Sequence, residues 1–342
     1  TISIPDANTT LTYSGGNLTV EAYTLSLAGA GTFSNSSNSP IVLAAEESIL
    51  DLTGSGEISG PVKMDGEGSK LKASGSPTIT GNITQSDDAT IEVASNQTLS
   101  YSGASLNLGA NKLSLKGGGI LSNSNALVLN DEDSLLSLEG IGTIGNVLIP
   151  LNTNPVKGIQ VVESATLGSF DLSATSYLDV AASKTINGPI TLQNDADLTI
   201  KGSGEYLGDM ELAGGKFRVD SDVNVPIRDL AGTLSITSDS EIIVPQDYTL
   251  KLSQAGGLPL GAKTLTLSGG GTLQSGGLDL NDESSKLLLS SITVDNVSTS
   301  KNSSSGGIDV DDNSTVSSLS VAHITPVSIA SGKTLSGAIT VT

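Results

Sequence analysis

Apolar residues along this chain occur in short alternating groups that are separated by turn-forming Gly, Asn, Ser and Asp. Residues 91–99 (IEVASNQTL) show the pattern: alternating aliphatic residues, a small polar turn, then Thr and another aliphatic residue. Period-two runs of this length between turn formers predict short β-strands. Because no segment carries an i, i+3, i+4, i+7 apolar stripe of helical length, the sequence predicts no helix.

The same pattern returns at nearly regular intervals. Its five copies span residues 2–11, 91–99, 178–186, 242–250 and 327–335. The second aliphatic residues of successive copies lie 89, 87, 64 and 85 positions apart: Ile4, Val93, Val180, Val244 and Ile329. These separations correspond to four, four, three and four units of roughly 21 to 22 residues. Such a period is typical of proteins built from stacked repeats.

Two further landmarks repeat with the same unit. A glycine-rich motif of the form LxLxGxG occurs at residues 23–33, 111–121 and 263–273. An aliphatic residue followed by an acidic turn occurs at residues 43–52, 129–138, 192–200 and 280–289. Repeated glycines predict corners where the backbone adopts positive φ or where neighbouring coils approach closely. A phosphate-binding loop is excluded because no helix follows these glycines.

A coil of about 22 residues with two or three short strands, stacked in register on the next coil, predicts an all-β fold, the parallel β-helix or β-solenoid. The general preference for right-handed crossovers predicts the right-handed form. The 342 residues then form about 15–16 rungs. We expect residues 1–342 to be a single β-solenoid domain. Because the chain begins and ends inside copies of the repeat, we also expect it to be a fragment of a longer repetitive protein with flanking repeats.

Composition narrows the function classes. Lys and Arg number 16 and Asp and Glu number 36, which gives a formal net charge of −20. A charge of this sign disfavours nucleic acid and anionic membranes as partners. No apolar run approaches the ~18 residues of a membrane span, so no span is predicted. An acidic chain without cysteine that is rich in Gly, Ser, Thr and Asn indicates a secreted or bacterial cell-surface protein.

The repeated unit, seen in IEVASNQTL and LDVAASKTI, together with LxLxGxG, resembles the rungs of bacterial cell-surface β-solenoids. Autotransporter passengers and filamentous-haemagglutinin-like adhesins are such proteins, and the resemblance covers the whole chain. It implies export, a right-handed β-helix and a role in adhesion or as a stalk that displays other modules. The partner would then be a glycan or protein on the surface of a host or neighbouring cell. These families supply no catalytic residues that could be transferred to this sequence.

Three classes of function remain open. The first is a non-enzymatic extracellular or cell-surface rod with a structural or adhesive role, which the abundance of scaffold and the scarcity of focused chemistry favour. The alternative is a carbohydrate-binding or polysaccharide-cleaving β-helix, which needs a groove lined by aromatic or basic residues. Ice binding and surface-layer assembly rank behind these two. The threonine pairs that an ice-binding surface needs are not repeated on every rung.

The sequence predicts no catalytic residues. His323 is the single histidine, and no cysteine can join it in a catalytic triad or a metal site. A polysaccharide-cleaving enzyme of this shape would need calcium-binding aspartates beside a basic residue. The best match to that requirement is a charged neighbourhood around one strand: Arg218, Asp220, Asp222, Arg228 and Asp229. Charged residues that flank a strand more often form its solvated side.

The acidic turns follow equivalent strands and should therefore lie along one edge, where carboxylates on neighbouring rungs repel one another. One interpretation is a solvated surface that keeps copies of the protein apart. The other is that Ca²⁺ bridges carboxylate and backbone oxygens of adjacent turns. The candidate calcium ligands form two clusters: Asp131, Glu132 and Asp133, with Asp309, Asp311 and Asp312. No other cofactor is expected.

Overall fold

A computed structural model of the protein describes residues 1–36, 39–150, 157–220, 227–254, 256–301, 305–322 and 324–341. Every regular element in these ranges is a β-strand, which confirms the predicted all-β class. The strands belong to two compact units, Thr1–Phe170 and Asp171–Thr342. Each unit is a parallel β-solenoid, and the chain forms about 15 turns that are about 22 residues apart, as the repeat predicts. The expectation of a single domain stays a prediction.

The first unit contains the strands β1 to β22, the last of which ends two residues past Phe170. In chain order they are β1 (Ile2–Ile4), β2 (Thr10–Tyr13), β3 (Leu18–Val20), β4 (Thr24–Gly29), β5 (Thr32–Asn35), β6 (Ile41–Leu43), β7 (Ile49–Leu52), β8 (Glu57–Ile58), β9 (Val62–Met64), β10 (Ser69–Ala73), β11 (Thr78–Ile79), β12 (Ile83–Gln85), β13 (Ala89–Val93), β14 (Thr98–Tyr101), β15 (Leu106–Asn107), β16 (Lys112–Lys116), β17 (Ile120–Asn123), β18 (Leu127–Val128), β19 (Leu135–Glu139), β20 (Thr143–Ile149), β21 (Gly158–Val161) and β22 (Ala165–Leu172).

The second unit contains the remaining strands. In chain order they are β23 (Thr175–Val180), β24 (Thr185–Asn187), β25 (Ile190–Gln193), β26 (Asp197–Gly202), β27 (Glu205–Tyr206), β28 (Met210–Ala213), β29 (Lys216–Val219), β30 (Ile227–Leu230), β31 (Leu234–Ser238), β32 (Ser240–Ile243), β33 (Thr249–Leu252), β34 (Leu258–Pro259), β35 (Thr264–Ser268), β36 (Thr272–Gln274), β37 (Leu278–Asp279), β38 (Lys286–Ser290), β39 (Thr293–Ser298), β40 (Gly307–Val310), β41 (Ser314–Val321), β42 (Val327–Ile329) and β43 (Leu335–Val341).

Equivalent strands of successive turns pair in parallel and form three sheets in each unit. Sheet 1 has the order β1–β4–β7–β10–β13–β16–β19–β21 in the first unit and β23–β26–β29–β32–β35–β38–β40–β42 in the second. Sheet 2 contains β2–β5–β8–β11–β14–β17–β20 and β24–β27–β30–β33–β36–β39–β41–β43, respectively. Sheet 3 contains β3–β6–β9–β12 and β15–β18–β20 in the first unit, and β25–β28–β31 and β34–β37–β39 in the second. We name the connections corner 1–2, corner 2–3 and corner 3–1 after the sheets that they join.

Alternation along each strand places aliphatic side chains inside the coil. In β10, Leu71 is buried, whereas its neighbours Lys70 and Lys72 point outward and are half-buried. Leu71 pairs with Leu50 of one adjacent turn and with Ile91 of the other, and all three residues are at most 1% exposed. Such columns remove apolar surface from water at a gain of roughly 25 cal/mol per Å². Each turn is therefore stabilised mainly by the two turns that it contacts.

Corner 1–2 is a tight turn in which one residue adopts a left-handed conformation. In residues 91–99 the backbone N–H of Gln97 donates to the carbonyl oxygen of Ala94 at 3.0 Å, and Asn96 has a φ of 63°. Three other copies have a left-handed residue at the same position: Ser183, Asp247 and Gly332. The glycine-rich landmark occupies the same corner, again with positive φ: Gly29, Gly117 and Gly269. The two landmarks, which look separate in the sequence, are therefore two solutions for one corner.

The ladder register differs by two residues from the alignment of the repeats. In the second unit, Ile329 pairs with Val310. The pairing continues back through three more residues: Leu289, Leu267 and Ile242. Ile242 is therefore the structural equivalent of Ile329, although the sequence repeat aligns Ile329 with Val244. A shift of two residues keeps every side chain on its face of the sheet, so the hydrophobic pattern does not detect it.

Candidate functional site

The acidic turns lie in corner 3–1, between a strand of sheet 3 and the next strand of sheet 1. Four of these corners share the pattern x-Glu-x-Ser, at residues 45–48, 66–69, 131–134 and 282–285. In all four the glutamate is exposed and the serine is buried. Three of the four belong to the first unit. Within that unit they place carboxylates at equivalent positions along one edge, as the sequence predicts.

In three of these corners the serine holds the turn from inside, whereas the buried hydroxyl of Ser69, in the fourth, has no hydrogen-bond partner among the described residues. The hydroxyl of Ser48 accepts a hydrogen bond from the N–H of Ala45 at 2.9 Å and donates one to the carbonyl oxygen of Val20 at 2.7 Å. The hydroxyl of Ser285 likewise accepts from the N–H of Asp282 at 3.0 Å and donates to the carbonyl oxygen of Gly261 in the preceding turn. One side chain thus closes its own turn and joins it to the preceding turn. In the sequence, this serine always follows the glutamate by two residues. The spacing is a signal for the structural role of the serine, and it is overlooked when only the carboxylates of these turns are considered.

The first predicted calcium cluster lies in one of these corners. The carboxylate of Asp131 accepts a hydrogen bond from the N–H of Asp133 at 3.0 Å. The N–H of Asp131 donates to the hydroxyl of Ser134 at 3.1 Å. The side chain of Glu132 is exposed. These contacts stabilise the turn itself, and they use one of the carboxylates that would have to coordinate calcium.

The second predicted cluster lies at the end of a sheet 1 strand and in corner 1–2, a different type of corner from the first. Asp309 forms an ion pair with Lys286 at 2.8 Å, and Asp312 forms one with Lys333 at 2.8 Å. Hydrogen bonds from Lys333, the backbone N–H of Asn313 and Ser291, the first of which has the largest effect, together lower the pKa of Asp312 to about 2. The hydrogen bond to Asp309 raises the pKa of Lys286, and the charge of Asp311 adds to this effect.

The described structure assembles no metal site at either cluster. Within the ranges given above, no group of three or more His, Cys, Asp or Glu side chains is arranged to hold a metal ion. Ammonium groups already neutralise the carboxylates of Asp309 and Asp312. Calcium bridging therefore stays one of the two interpretations of the acidic turns, and a direct test has to decide between them.

The charged neighbourhood considered for polysaccharide cleavage is not brought together. Arg218 lies on the outward side of β29 in sheet 1, 3.4 Å from the carboxylate of Asp197. Arg228 lies on β30 in sheet 2 and is 3% exposed, and its guanidinium group donates hydrogen bonds to two backbone carbonyl oxygens. The sequence favours the interpretation that these charged residues lie on the solvated side of a strand. That interpretation is wrong for Arg228, which is buried. Asp222 and His323 lie outside the described residues.

Charged side chains alternate in sign along the outward side of sheet 1, which we call the charge ladder. In the first unit one row crosses five successive turns: Asp51, Lys72, Glu92, Lys116 and Glu139. In the second unit Asp197, Lys216 and Glu241 form a similar row. Paired residues on adjacent strands are ~4.8 Å apart. Each lysine within these two rows, Lys72, Lys116 and Lys216, therefore has a carboxylate on each side. Diagonal ion pairs join neighbouring rows, as between Lys70 and Glu92 at 3.1 Å.

The charge ladder differs in net charge from the rest of the molecule. The strands of sheet 1 carry eight of the 16 Lys and Arg residues but seven of the 36 Asp and Glu residues. The ladder is therefore close to neutral, and the excess of negative charge belongs to the corners and the other sheets. From composition alone, the lysines are too few to neutralise the carboxylates. Composition does not reveal that half of the Lys and Arg residues lie on the strands of sheet 1.

Glu139 is the carboxylate of the ladder with the most donors. Its oxygens lie 2.8–2.9 Å from two ammonium groups and two hydroxyls: Lys112, Lys116, Ser114 and Ser137. Burial by itself raises the pKa of Glu139, but the four hydrogen bonds together outweigh burial and lower the pKa to about 2. The ladder thus contains one carboxylate whose ionised form is strongly stabilised by the fold.

No protein-family model matches this chain, and comparisons with curated proteins and with solved structures find no significant similarity. In the part of the chain that the structure describes, no helix has the length and apolar character needed to cross a membrane. The β-solenoid fold rests on the structure itself. The resemblance to autotransporter passengers and adhesins stays a hypothesis about function.

Proposed function

We propose that the protein is a non-enzymatic structural and adhesive β-solenoid that acts outside the cell, secreted or held at a bacterial surface. The observation that supports this best is the charge ladder, a regular ion-paired face that repeats over successive turns. A surface with a large negative potential repels other anionic surfaces. The nearly neutral ladder is the face that can approach a glycan or protein on another cell without that repulsion.

The structural part of the proposal is supported by how the turns are held. Aliphatic columns, parallel ladders and three buried serines of corner 3–1, Ser48, Ser134 and Ser285, each join a turn to its neighbours, without disulfide bonds. Such coupling between neighbours lets a solenoid extend by adding turns. Flanking repeats of the same polypeptide would be stabilised in the same way.

Carbohydrate binding is the alternative, and a cleft in the second unit has the size that it requires, although no aromatic or basic residue lines this cleft. The cleft has a volume of about 750 Å³ and lies at corner 2–3. This volume is in the range of small-molecule sites, ~300–1,000 Å³. Its lining combines the polar side chains of Asp209 and Gln254 with the apolar side chain of Leu207, which is 38% exposed. Polysaccharide cleavage has weaker support, because Arg218 and Arg228 lie in different sheets.

Two assays test the proposal. Antibodies against the purified protein should label intact cells of the source organism, and beads coated with the protein should adhere to host or neighbouring cells. Lys72→Glu with Lys116→Glu should reduce adhesion, because it makes the charge ladder acidic. The control is Lys63→Glu with Lys251→Glu, which changes the net charge by the same amount but on sheets 3 and 2. This control should not reduce adhesion. Labelling only after permeabilisation, or equal adhesion of coated and uncoated beads, would contradict the proposal.

A further inference from the structure

Two charges of the ladder in the first unit have no ion-pair partner within the chain. The row alternates in sign over five successive turns. Among the described residues, Glu92, Lys116 and Glu139 all take part in ion pairs. The ammonium group of Lys72 forms neither an ion pair nor a hydrogen bond there, and Asp51 only accepts a hydrogen bond from a serine hydroxyl at 2.7 Å. The fold thus leaves one cation and one anion of the row without a counter-charge in contact.

The alternation of sign determines how two copies of the protein can place these rows face to face. A homodimer with a twofold axis uses the same surface of both copies. If the axis is parallel to the stacking direction of the turns, each turn faces the same turn of the second copy. Lys72 then faces Lys72 or its neighbour Lys70. If the axis is parallel to the strands, the row of one copy faces the reversed row of the other. Of these two arrangements, only the antiparallel one can bring opposite charges of the row together.

One antiparallel register gives an opposite charge to both of the unpaired groups. When the axis passes between Lys72 and Glu92, Lys72 of one copy faces Glu92 of the other, and Asp51 faces Lys116. The axis repeats both contacts. An axis between Glu92 and Lys116 also pairs opposite charges, but it leaves Asp51 without a cation. An axis through Glu92 itself places like charges opposite each other. Because successive turns are ~4.8 Å apart, a slip of ~2.4 Å changes attraction into repulsion, so the register is well defined.

We propose that the charge ladder of the first unit binds the ladder of a second copy of this chain in this antiparallel register. The inference rests on the proposed adhesive function and names the partner for it. Copies displayed on two facing cells approach each other in opposite directions, as the antiparallel register requires. Exposed ion pairs are individually weak, so one contact is weak. Many copies on each surface make the combined contact strong.

The net charge of the protein is compatible with this contact. Each copy carries a formal net charge of −20, which makes two copies repel each other at long range. At physiological salt the Debye length is ~8 Å, so charges on the other sheets and corners are largely screened from the second copy. The facing rows of the nearly neutral ladder lie within this distance. The ladder is therefore the face on which two acidic copies can meet.

The alternating charges favour a second copy over other partners. A polybasic or polyacidic partner would meet a like charge on every second turn of the row. A neutral glycan would cover the charges of Asp51 and Lys72 without supplying counter-charges, and the burial of unpaired charge is costly. A matching surface needs alternating charges with the same spacing of ~4.8 Å, and the chain itself provides one.

A charge swap within the row tests this register without a change in net charge. Beads coated with the unmodified protein should aggregate with one another at ~0.15 M salt. Lys72→Glu places like charges opposite each other at both symmetric contacts and should weaken this self-association by about tenfold or more. Adding Glu92→Lys restores opposite charges between two copies of the double variant. Beads coated with Lys72→Glu, Glu92→Lys should therefore aggregate with one another but not with unmodified beads, as two bead colours reveal.

The control is Asp229→Lys with Lys251→Glu, which reverses an exposed ion pair of 3.1 Å on sheet 2 of the second unit. Beads coated with this variant should aggregate with unmodified beads as well as unmodified beads do with one another. An unchanged unfolding midpoint verifies that each variant folds. A salt series on the unmodified protein needs no variant: aggregation should be lost at ~1 M salt, where the Debye length is ~3 Å.

Three results would overturn the inference: no aggregation of unmodified beads, full aggregation of the double variant with unmodified beads, or aggregation that persists at ~1 M salt. Surface labelling, and adhesion of coated beads to cells that lack this protein, do not depend on self-association. Adhesion to such cells without aggregation of the beads would overturn the second copy as partner and leave the proposed function in place.

Discussion

In three of the corners with the x-Glu-x-Ser pattern, the buried serine joins its own turn to the turn before through hydrogen bonds of its hydroxyl: Ser48, Ser134 and Ser285. In the second unit the hydroxyl of Ser285 accepts from the N–H of Asp282 at 3.0 Å and donates to the carbonyl oxygen of Gly261. Ser285→Ala should lower the free energy of unfolding by about 1–3 kcal/mol, because both backbone groups lose a partner. Urea denaturation measures this loss. The neighbouring exposed Ser284 supplies the control, since Ser284→Ala should change stability by less than about 0.5 kcal/mol.

The low pKa of Glu139 predicts a stability that depends on pH. The pKa in the folded protein, about 2, lies below the usual value of 4.5. The ionised carboxylate therefore stabilises the fold fully above pH 4.5, and this contribution is lost as the pH falls toward 2. Glu139→Gln should lower the free energy of unfolding by on the order of 1–2 kcal/mol at neutral pH. Near pH 2, where Glu139 becomes protonated, the same substitution should have little effect. Urea denaturation at a series of pH values gives the difference directly.

The control for this prediction is Glu47→Gln, which removes the same charge from an exposed carboxylate without a partner. Its stability should follow that of the unmodified protein at every pH. A cost of Glu139→Gln that stays constant as the pH is lowered would show that the ion pairs with Lys112 and Lys116 do not stabilise the fold.

At the scale of residues, the sequence predicts burial well where burial depends on local alternation. Leu71 and Ile91 are buried as their patterns require. Arg228 could not be predicted in this way, because its burial depends on carbonyl oxygens of Gly202 and Gly204 in the preceding turn. This contact requires the register between turns, which cannot be derived from any single segment of the sequence.

At the scale of elements, corner 1–2 depends on close contact between the backbones of successive turns. A Cβ atom on Gly54 would lie 1.9 Å from the carbonyl oxygen of Gly29 in the preceding turn. Gly54→Ala should therefore destabilise the first unit by about 1–3 kcal/mol or more, because backbone must move to admit a methyl group. Thermal unfolding followed by circular dichroism measures the effect.

Gly16→Ala is the matched control for this substitution. A Cβ atom on Gly16 would meet nothing within 4 Å, and Gly16 lacks the positive φ that disfavours alanine. Its unfolding midpoint should be unchanged or slightly raised, since alanine restricts the unfolded chain. Equal midpoints for the two variants would mean that the turns do not approach as closely as the structure shows.

The repeat length and the parallel pairing of elements could be predicted from the sequence, but their register could not. Val244 and Ile329 occupy the same place in the repeat, yet the ladder makes Ile242 the equivalent of Ile329. Both alignments bury the same face, so hydrophobicity does not choose between them. The choice depends on corner lengths, which vary from turn to turn.

At the scale of the whole molecule, the effect of calcium on thermal stability distinguishes a solvated acidic surface from one that binds Ca²⁺. We expect millimolar Ca²⁺ and EDTA, at matched ionic strength, to leave the thermal unfolding midpoint almost unchanged. The reason is that Asp309 and Asp312 already pair with lysines, and Asp131 accepts a hydrogen bond within its own turn. A rise of several degrees in Ca²⁺ that Asp131→Asn removes would establish the calcium hypothesis instead.

The net charge of −20 is visible in the sequence, but its distribution is not. Lys72 and Glu92 are 20 residues apart in sequence and become partners only when β10 pairs with β13. The charge ladder therefore follows from register, and so does the proposal that this face makes contact with other surfaces.

The proposed function depends on the register of the charge ladder. Disulfide trapping is the most direct test of that register. The chain has no cysteine, so introduced pairs react without interference. Paired residues on adjacent strands have Cα atoms ~4.8 Å apart, within the ~4.4–6.8 Å that a disulfide spans, whereas an offset of two residues gives about 8 Å.

Lys72→Cys with Glu92→Cys in the first unit, and Lys216→Cys with Glu241→Cys in the second, should form disulfides rapidly under mild oxidation. Lys70→Cys with Glu92→Cys, and Arg218→Cys with Glu241→Cys, are offset by two residues and should stay reduced. Mass spectrometry of peptides from the oxidised proteins reads out each pair. Efficient disulfides in the offset pairs, with none in the register pairs, would contradict the ladder and the charge pattern built on it.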